Sequence, residues 1–144
     1  MKQFKDIKNK ISWEQYYNPD FNWYDWKFYS NNILTEDFIR EFQDKVDWEY
    51  ISIYQNLSEN FIKEFQNKVN WRIISAYQKL SENFIREFKD KINWHNISIQ
   101  QKLSENFIRE FKYKVDWAAV SKNQLLSKSF QEEFKKELRI YEIF

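Results

Sequence analysis

Reactive side chains are few in this chain, and their spacing limits what they can do. His95 is the only histidine, cysteine and glycine are absent, and proline occurs once. A single histidine without a second ligand at metal-binding spacing is a poor general base and a poor metal ligand. The absence of cysteine rules out disulfides, thiolate sites and a cysteine nucleophile. Without glycine, phosphate-cradling loops have no residue able to bring the backbone close to an anion. Acid pairs such as Glu132 and Glu133 fall on what should be wet helix faces, where burial cannot tune their pKa values. No Ser/His/Asp arrangement is present. A non-enzyme with no cofactor and no metal is the expectation.

Binding chemistry remains. Arg40, Lys63, Arg86 and Arg109 recur every 23 residues, as a cationic row suited to phosphates would; a solvated helix face gives the same pattern. Trp48, Trp71, Trp94 and Trp117 keep the same spacing. Periodic indoles are either stacking platforms for bases or core.

The elements that position these residues follow from the period itself. Leu34, Leu57, Leu80, Leu103 and Leu126 are also 23 residues apart, giving four full repeats and a truncated fifth. A fixed period in this range marks a stack of identical supersecondary units. In Leu57–Lys79, Ser58 is a good N-cap, and helix A is predicted over about Glu59–Lys68. Phe61, Ile62, Phe65 and Val69 form one amphipathic stripe. Glu64 and Lys68, four apart, are predicted to pair, as are Glu41/Lys45, Glu87/Lys91 and Glu110/Lys114. Asp47, Asn70, Asn93 and Asp116 are N-cap types, so a second helix, B, starts at once and runs over about Trp71–Gln78 in this repeat. A strand reading fails because the apolar spacing does not alternate by two. Such short helices need stacking to persist. The predicted fold is therefore all-α, an α-solenoid of helix–turn–helix repeats spanning 34–125, with a divergent N-terminal cap (1–33) and a C-terminal capping helix (126–144).

Comparing repeats separates framework from free positions. Trp, Ile or Val, Ser and Gln recur on one helix B face; the serine is small enough for close helix approach, and the glutamine is predicted to satisfy backbone groups between repeats. The free positions begin with Glu49, Tyr50, Ile53 and Tyr54. They continue with Arg72, Ile73, Ala76 and Tyr77, then His95, Asn96, Ile99 and Gln100, and then Ala118, Ala119, Lys122 and Asn123. On a helical wheel they oppose the framework, as a ridge whose chemistry changes at each rung. Partner recognition and neutral drift both produce such variation; exposed tyrosine and isoleucine favour recognition, so Glu49, Tyr50, Tyr54, Arg72, Ile73, Tyr77, His95 and Asn96 are the candidate contacts. Before Leu34 the period breaks, and eight aromatics crowd 16–29, Trp23 and Tyr24 among them. They read as a lid over the first repeat or as an aromatic hot spot.

Composition agrees. With 144 residues, 42% of them hydrophobic, the chain can bury the core of one domain. A net charge of +1 supplies neither a global basic field for nucleic acid nor the acidity of a DNA mimic. The charge is uneven, −4 over 34–56 and +4 over 57–125. No apolar leader and no run of about 18 apolar residues is visible; a cytoplasmic protein without a membrane span is the expectation.

The string "LSENFIREFKDKINWHNISIQQKLSENFI" resembles the short tandem repeats of proteins from large DNA viruses, phages and AT-rich bacteria. That group brings no established activity to residues here. In style the chain is also similar to phage-encoded anti-CRISPR inhibitors, which implies a protein partner such as a host nuclease or effector. Three functions follow as expectations: protein binding through the helix B ridge and the aromatic N-terminus, RNA or single-stranded nucleic-acid binding through the Arg/Lys row, or self-assembly of arrays end to end.

Overall fold

A computed structural model describes residues 34–139 of the chain. Trp23, Tyr24, the rest of the expected N-terminal cap and the last five residues lie outside the described residues. The described residues contain no strand and form ten helices on the 23-residue period, joined by turns and short extended links. The fold class is the α-solenoid of short helix–turn–helix repeats. The chain divides into two compact units, Met1–Val69 and Asn70–Phe144.

In the first unit, α1 (Glu36–Glu41) and α3 (Glu59–Glu64) are A helices and α2 (Trp48–Tyr54) is a B helix. In the second, the B helices are α4 (Trp71–Tyr77), α6 (Trp94–Gln100) and α8 (Trp117–Asn123). The A helices there are α5 (Glu82–Glu87), α7 (Glu105–Glu110) and α9 (Lys128–Glu133), and α10 (Lys135–Arg139) ends the described chain.

Both helix starts are set by side-chain caps. Ser58 Oγ accepts from the Phe61 N–H at 3.1 Å, and Asn70 Oδ1 accepts from the Arg72 and Ile73 N–H groups at 3.1 and 3.3 Å, satisfying donors that the first turn leaves orphaned. Helix A is shorter than its apolar stripe predicts. It ends at Glu64, because Phe65 takes φ −103°, ψ 29° as the C-cap. A turn follows, closed by Lys68 N–H and Val69 N–H on the Phe65 carbonyl at 2.9 and 3.1 Å. Helix B then ends on Gln78 in extended geometry, φ −92°, ψ 145°. No described residue has positive φ, which is why the repeat does without glycine.

The last repeat departs from this pattern. Instead of the turn, helix resumes one residue after Phe134, and the Leu138 N–H bonds the Phe134 carbonyl at 3.0 Å.

The core is the predicted stripe. Phe61, Ile62, Phe65 and Val69 are buried, as are Ile51, Ile74, Ile97 and Val120 of helix B. Helices too short to persist alone are held by burial against neighbouring repeats, roughly 1.5–3 kcal/mol per large apolar side chain.

Candidate functional site

The framework side chains join each repeat to the next through four sets of contacts. The indoles form the first. In the second unit Trp71 lies over Phe84 and Phe88, with ring centroids 6.3 and 4.9 Å away. Trp94 and Trp117 repeat this on Phe107/Phe111 and Phe130/Phe134, and in the first unit Trp48 does so on Phe61/Phe65. The indoles are half-buried rather than fully enclosed. Trp48, Trp94 and Trp117 donate Nε1–H to a carbonyl five residues earlier, at 2.9–3.0 Å. One ring face is thus occupied by phenylalanine and the polar edge by backbone.

Glutamine makes the second set, in the role expected of it. Gln101 Oε1 accepts from the Leu80 N–H at 3.1 Å, and its Nε2 donates to the Gln78 carbonyl at 2.8 Å. Gln124 repeats both bonds on Leu103 and Gln101, and Gln55 accepts from Leu34. Removing such a buried amide strands backbone groups, at about 1–3 kcal/mol each.

Serine does more than permit close approach. Ser75 Oγ donates to the Trp71 carbonyl at 2.6 Å and accepts the Asn93 N–H of the next repeat at 2.9 Å. Ser98 does the same between Trp94 and Asp116. These bonds run 18 residues forward in sequence, so no local pattern signals them.

The fourth set neutralises the arginine row. Arg40, Arg86 and Arg109 bond Glu64, Glu110 and Glu133 of the following repeat at 2.8–2.9 Å, and their guanidiniums lie 4.9–5.1 Å from the ring centroids of Phe61, Phe107 and Phe130. Glu64 and, to a smaller extent, Asp37 and Glu36 hold the Arg40 pKa above its ordinary value. Glu133 does so for Arg109. Lys63, the fourth member of the row, is exposed. Helix A's short length overturns the predicted Glu64/Lys68 and Glu110/Lys114 pairs. Glu64 and Glu110 go to arginines, while Lys68 and Lys114 reach back to Asp44 and Asp90 at 2.8 and 3.3 Å. Glu82 and Glu105 accept the N–H of Ser104 and Ser127, and the Ser127 N–H holds the Glu105 carboxyl below the usual range.

The free positions divide. Glu49 and Tyr54 on α2, Arg72 and Tyr77 on α4, and His95 on α6 are exposed, Tyr54 at 54% and Tyr77 at 66%. Tyr50, Ile73 and Asn96 are half-buried, and Ala119 at the same position is buried. That position is therefore not open ridge. Asn96 Nδ2 donates to the Arg72 carbonyl of the preceding repeat at 2.9 Å, and Tyr50 packs on Tyr54 with centroids 4.3 Å apart. A wheel drawn on one helix misses this, because in the second unit the neighbouring B helix covers one flank. His95 Nδ1 pairs with Asp116, the N-cap of α8. That pairing, with smaller help from the Ala119 N–H, lowers the Asp116 pKa.

Sequence reasoning passed over Lys79 and Lys102, which stand just beyond α4 and α6 and are exposed. A signal was present: from Asn70 to Leu126 the B helices and the turns that follow them contain one acid, Asp116.

Among the described residues no group of three or more His, Asp or Glu is arranged to hold a metal ion, and no helix is long and apolar enough to cross a membrane. No protein-family model, curated protein or solved structure matches the chain. Its class, a helical-repeat protein of the α-solenoid type, rests on its own period and geometry.

Proposed function

We propose that this protein is a non-catalytic binding module whose partner is another protein, held on the exposed helix B positions. The supporting observation is a division of labour. The repeated side chains are engaged in joining one repeat to the next, while the positions that change between repeats include an exposed tyrosine and a charge in each compact unit, Tyr54 and Glu49 in the first and Tyr77 and Arg72 in the second. Exposed tyrosine beside charge is the composition of an interface hot spot. The nucleic-acid reading is less well supported. The guanidiniums of Arg40, Arg86 and Arg109 are matched by carboxylates, and the indoles rest on phenylalanine rather than standing free to stack on bases. An inhibitor of a host nuclease is one concrete case within the proposed class and rests on the resemblance alone.

The test is affinity capture from the native host with the wild-type chain and with Tyr54→Ala/Tyr77→Ala. Capture of a specific protein that falls at least tenfold in the double variant, with its melting temperature within a few degrees of wild type, supports the reading. Equal capture by both overturns it. Reversing Glu49 and Arg72 together is expected to act in the same direction.

A further inference from the structure

We propose that the helix B side of the second compact unit takes an acidic, extended polypeptide segment lying across the ends of α4, α6 and α8. This deepens the protein-binding reading and rests on it.

The two sides of the repeat handle charge differently. On the A side, Arg86, Arg109 and Lys114 each bond a carboxylate of a neighbouring repeat. On the B side, Arg72, Lys79, Lys102 and Lys122 are exposed and form no ion pair among the described residues. The only acid there, Asp116, is held by His95. Lys79 and Lys102 occupy the same place in consecutive repeats. Packed helices lie about 8–10 Å apart, and a chain extended as polyproline II advances about 3.1 Å per residue with three residues per turn, which puts every third side chain on one face. A segment with an acid at every third residue therefore matches the lysine spacing. Tyr77, 66% exposed, stands two residues before Lys79 and adds an apolar contact. A single-stranded nucleic acid would need free aromatic faces as well as cations. Here Tyr77 is a single exposed ring, while Trp71, Trp94 and Trp117 are half-buried with one face packed against phenylalanine, which favours the polypeptide.

The test is fluorescence anisotropy of the full chain at low salt. The probe is a labelled Gly/Ser peptide carrying Glu at every third position. Expected are saturable binding that weakens as salt rises, and at least a tenfold loss in both Lys79→Glu/Lys102→Glu and the milder Lys79→Gln/Lys102→Gln. Lys89→Glu, on the A side, should bind as wild type. Absence of wild-type binding, unchanged binding by both double variants, an equal loss in Lys89→Glu, or displacement of the peptide by a lower concentration of poly(U) RNA overturns the inference. If the host partner is lost by Tyr54→Ala/Tyr77→Ala yet kept by Lys79→Gln/Lys102→Gln, this inference falls while the protein-binding reading stands.

Discussion

The fourth repeat and the truncated fifth differ in a directional way. Ser104, Phe107, Glu110 and Phe111 reappear as Ser127, Phe130, Glu133 and Phe134. These are the residues that face back: Phe130 and Phe134 receive the Trp117 indole, Glu133 receives Arg109, and the Ser127 N–H reaches Glu105. Glu105, Asn106, Ile108 and Arg109 are replaced by Lys128, Ser129, Gln131 and Glu132. In the fourth repeat Glu105 and Arg109 bond forward, and Asn106 supports Arg109 at 3.1 Å. Ile108 is buried where Gln131 is exposed. The fifth repeat thus keeps what it needs to receive the fourth and lacks what a sixth would require. Lys128 cannot accept a serine N–H, and Glu132 would repel the next glutamate. The contacts between these repeats therefore have a direction.

The largest effect that would break this comparison is on packing. Ile108→Ala is expected to lower stability by about 2–5 kcal/mol, whereas Gln131→Ala at the same place should stay within about 0.5 kcal/mol of wild type. Denaturant midpoints measure both, and equal losses would dissolve the distinction between forward and end faces. Next come the charges. Arg86→Gln should cost at most about 1 kcal/mol, as exposed pairs do, with the loss shrinking in high salt. Glu132→Gln, which stands where the arginine would be, loses only an exposed pair with Lys135 at 3.0 Å within the same repeat and should cost less than about 0.5 kcal/mol.

The smallest effect is on pH. The Glu105 and Asp116 carboxyls are held below their ordinary values, by the Ser127 N–H and by His95 respectively. The folded chain therefore binds fewer protons than the unfolded one as pH falls past these values. Their stabilisation is present above the ordinary carboxylate range and is lost as pH drops through the lowered values. Glu105→Gln and His95→Gln should each flatten the acid limb of melting temperature against pH, while Lys128→Gln leaves that limb unchanged. An acid limb identical in all three variants would count against the carboxylate bonds.

Much of the fold was legible because it is written locally. Ser58 and Asn70 announce helix starts by type, and Phe61, Ile62 and Phe65 announce a buried stripe by spacing. The period announces a stack, and Gln78 and Gln101 can be read as linkers because they recur at the ends of helix B. The charge pairing was not legible. Glu64 and Lys68 sit four apart, and a continuous helix would join them. The chain instead leaves helical geometry at Phe65, which turns Glu64 towards Arg40 and Lys68 towards Asp44.

The candidate contacts were half legible for the same reason. The wheel placed Glu49, Tyr54, Arg72, Tyr77 and His95 on open surface, where they lie, but it could not foresee that Ile73 is half-buried or that Asn96 bonds the Arg72 carbonyl of a neighbouring helix. Sequence alone determined the repeat, its caps and its apolar stripe, since these depend on contacts within about four residues and on a period visible by eye. Tertiary structure decided which charge meets which, where serine finds its second partner, and which varied positions stay open. Those choices join residues 18 to 24 apart, a separation at which only the packing of one repeat on the next selects the partner.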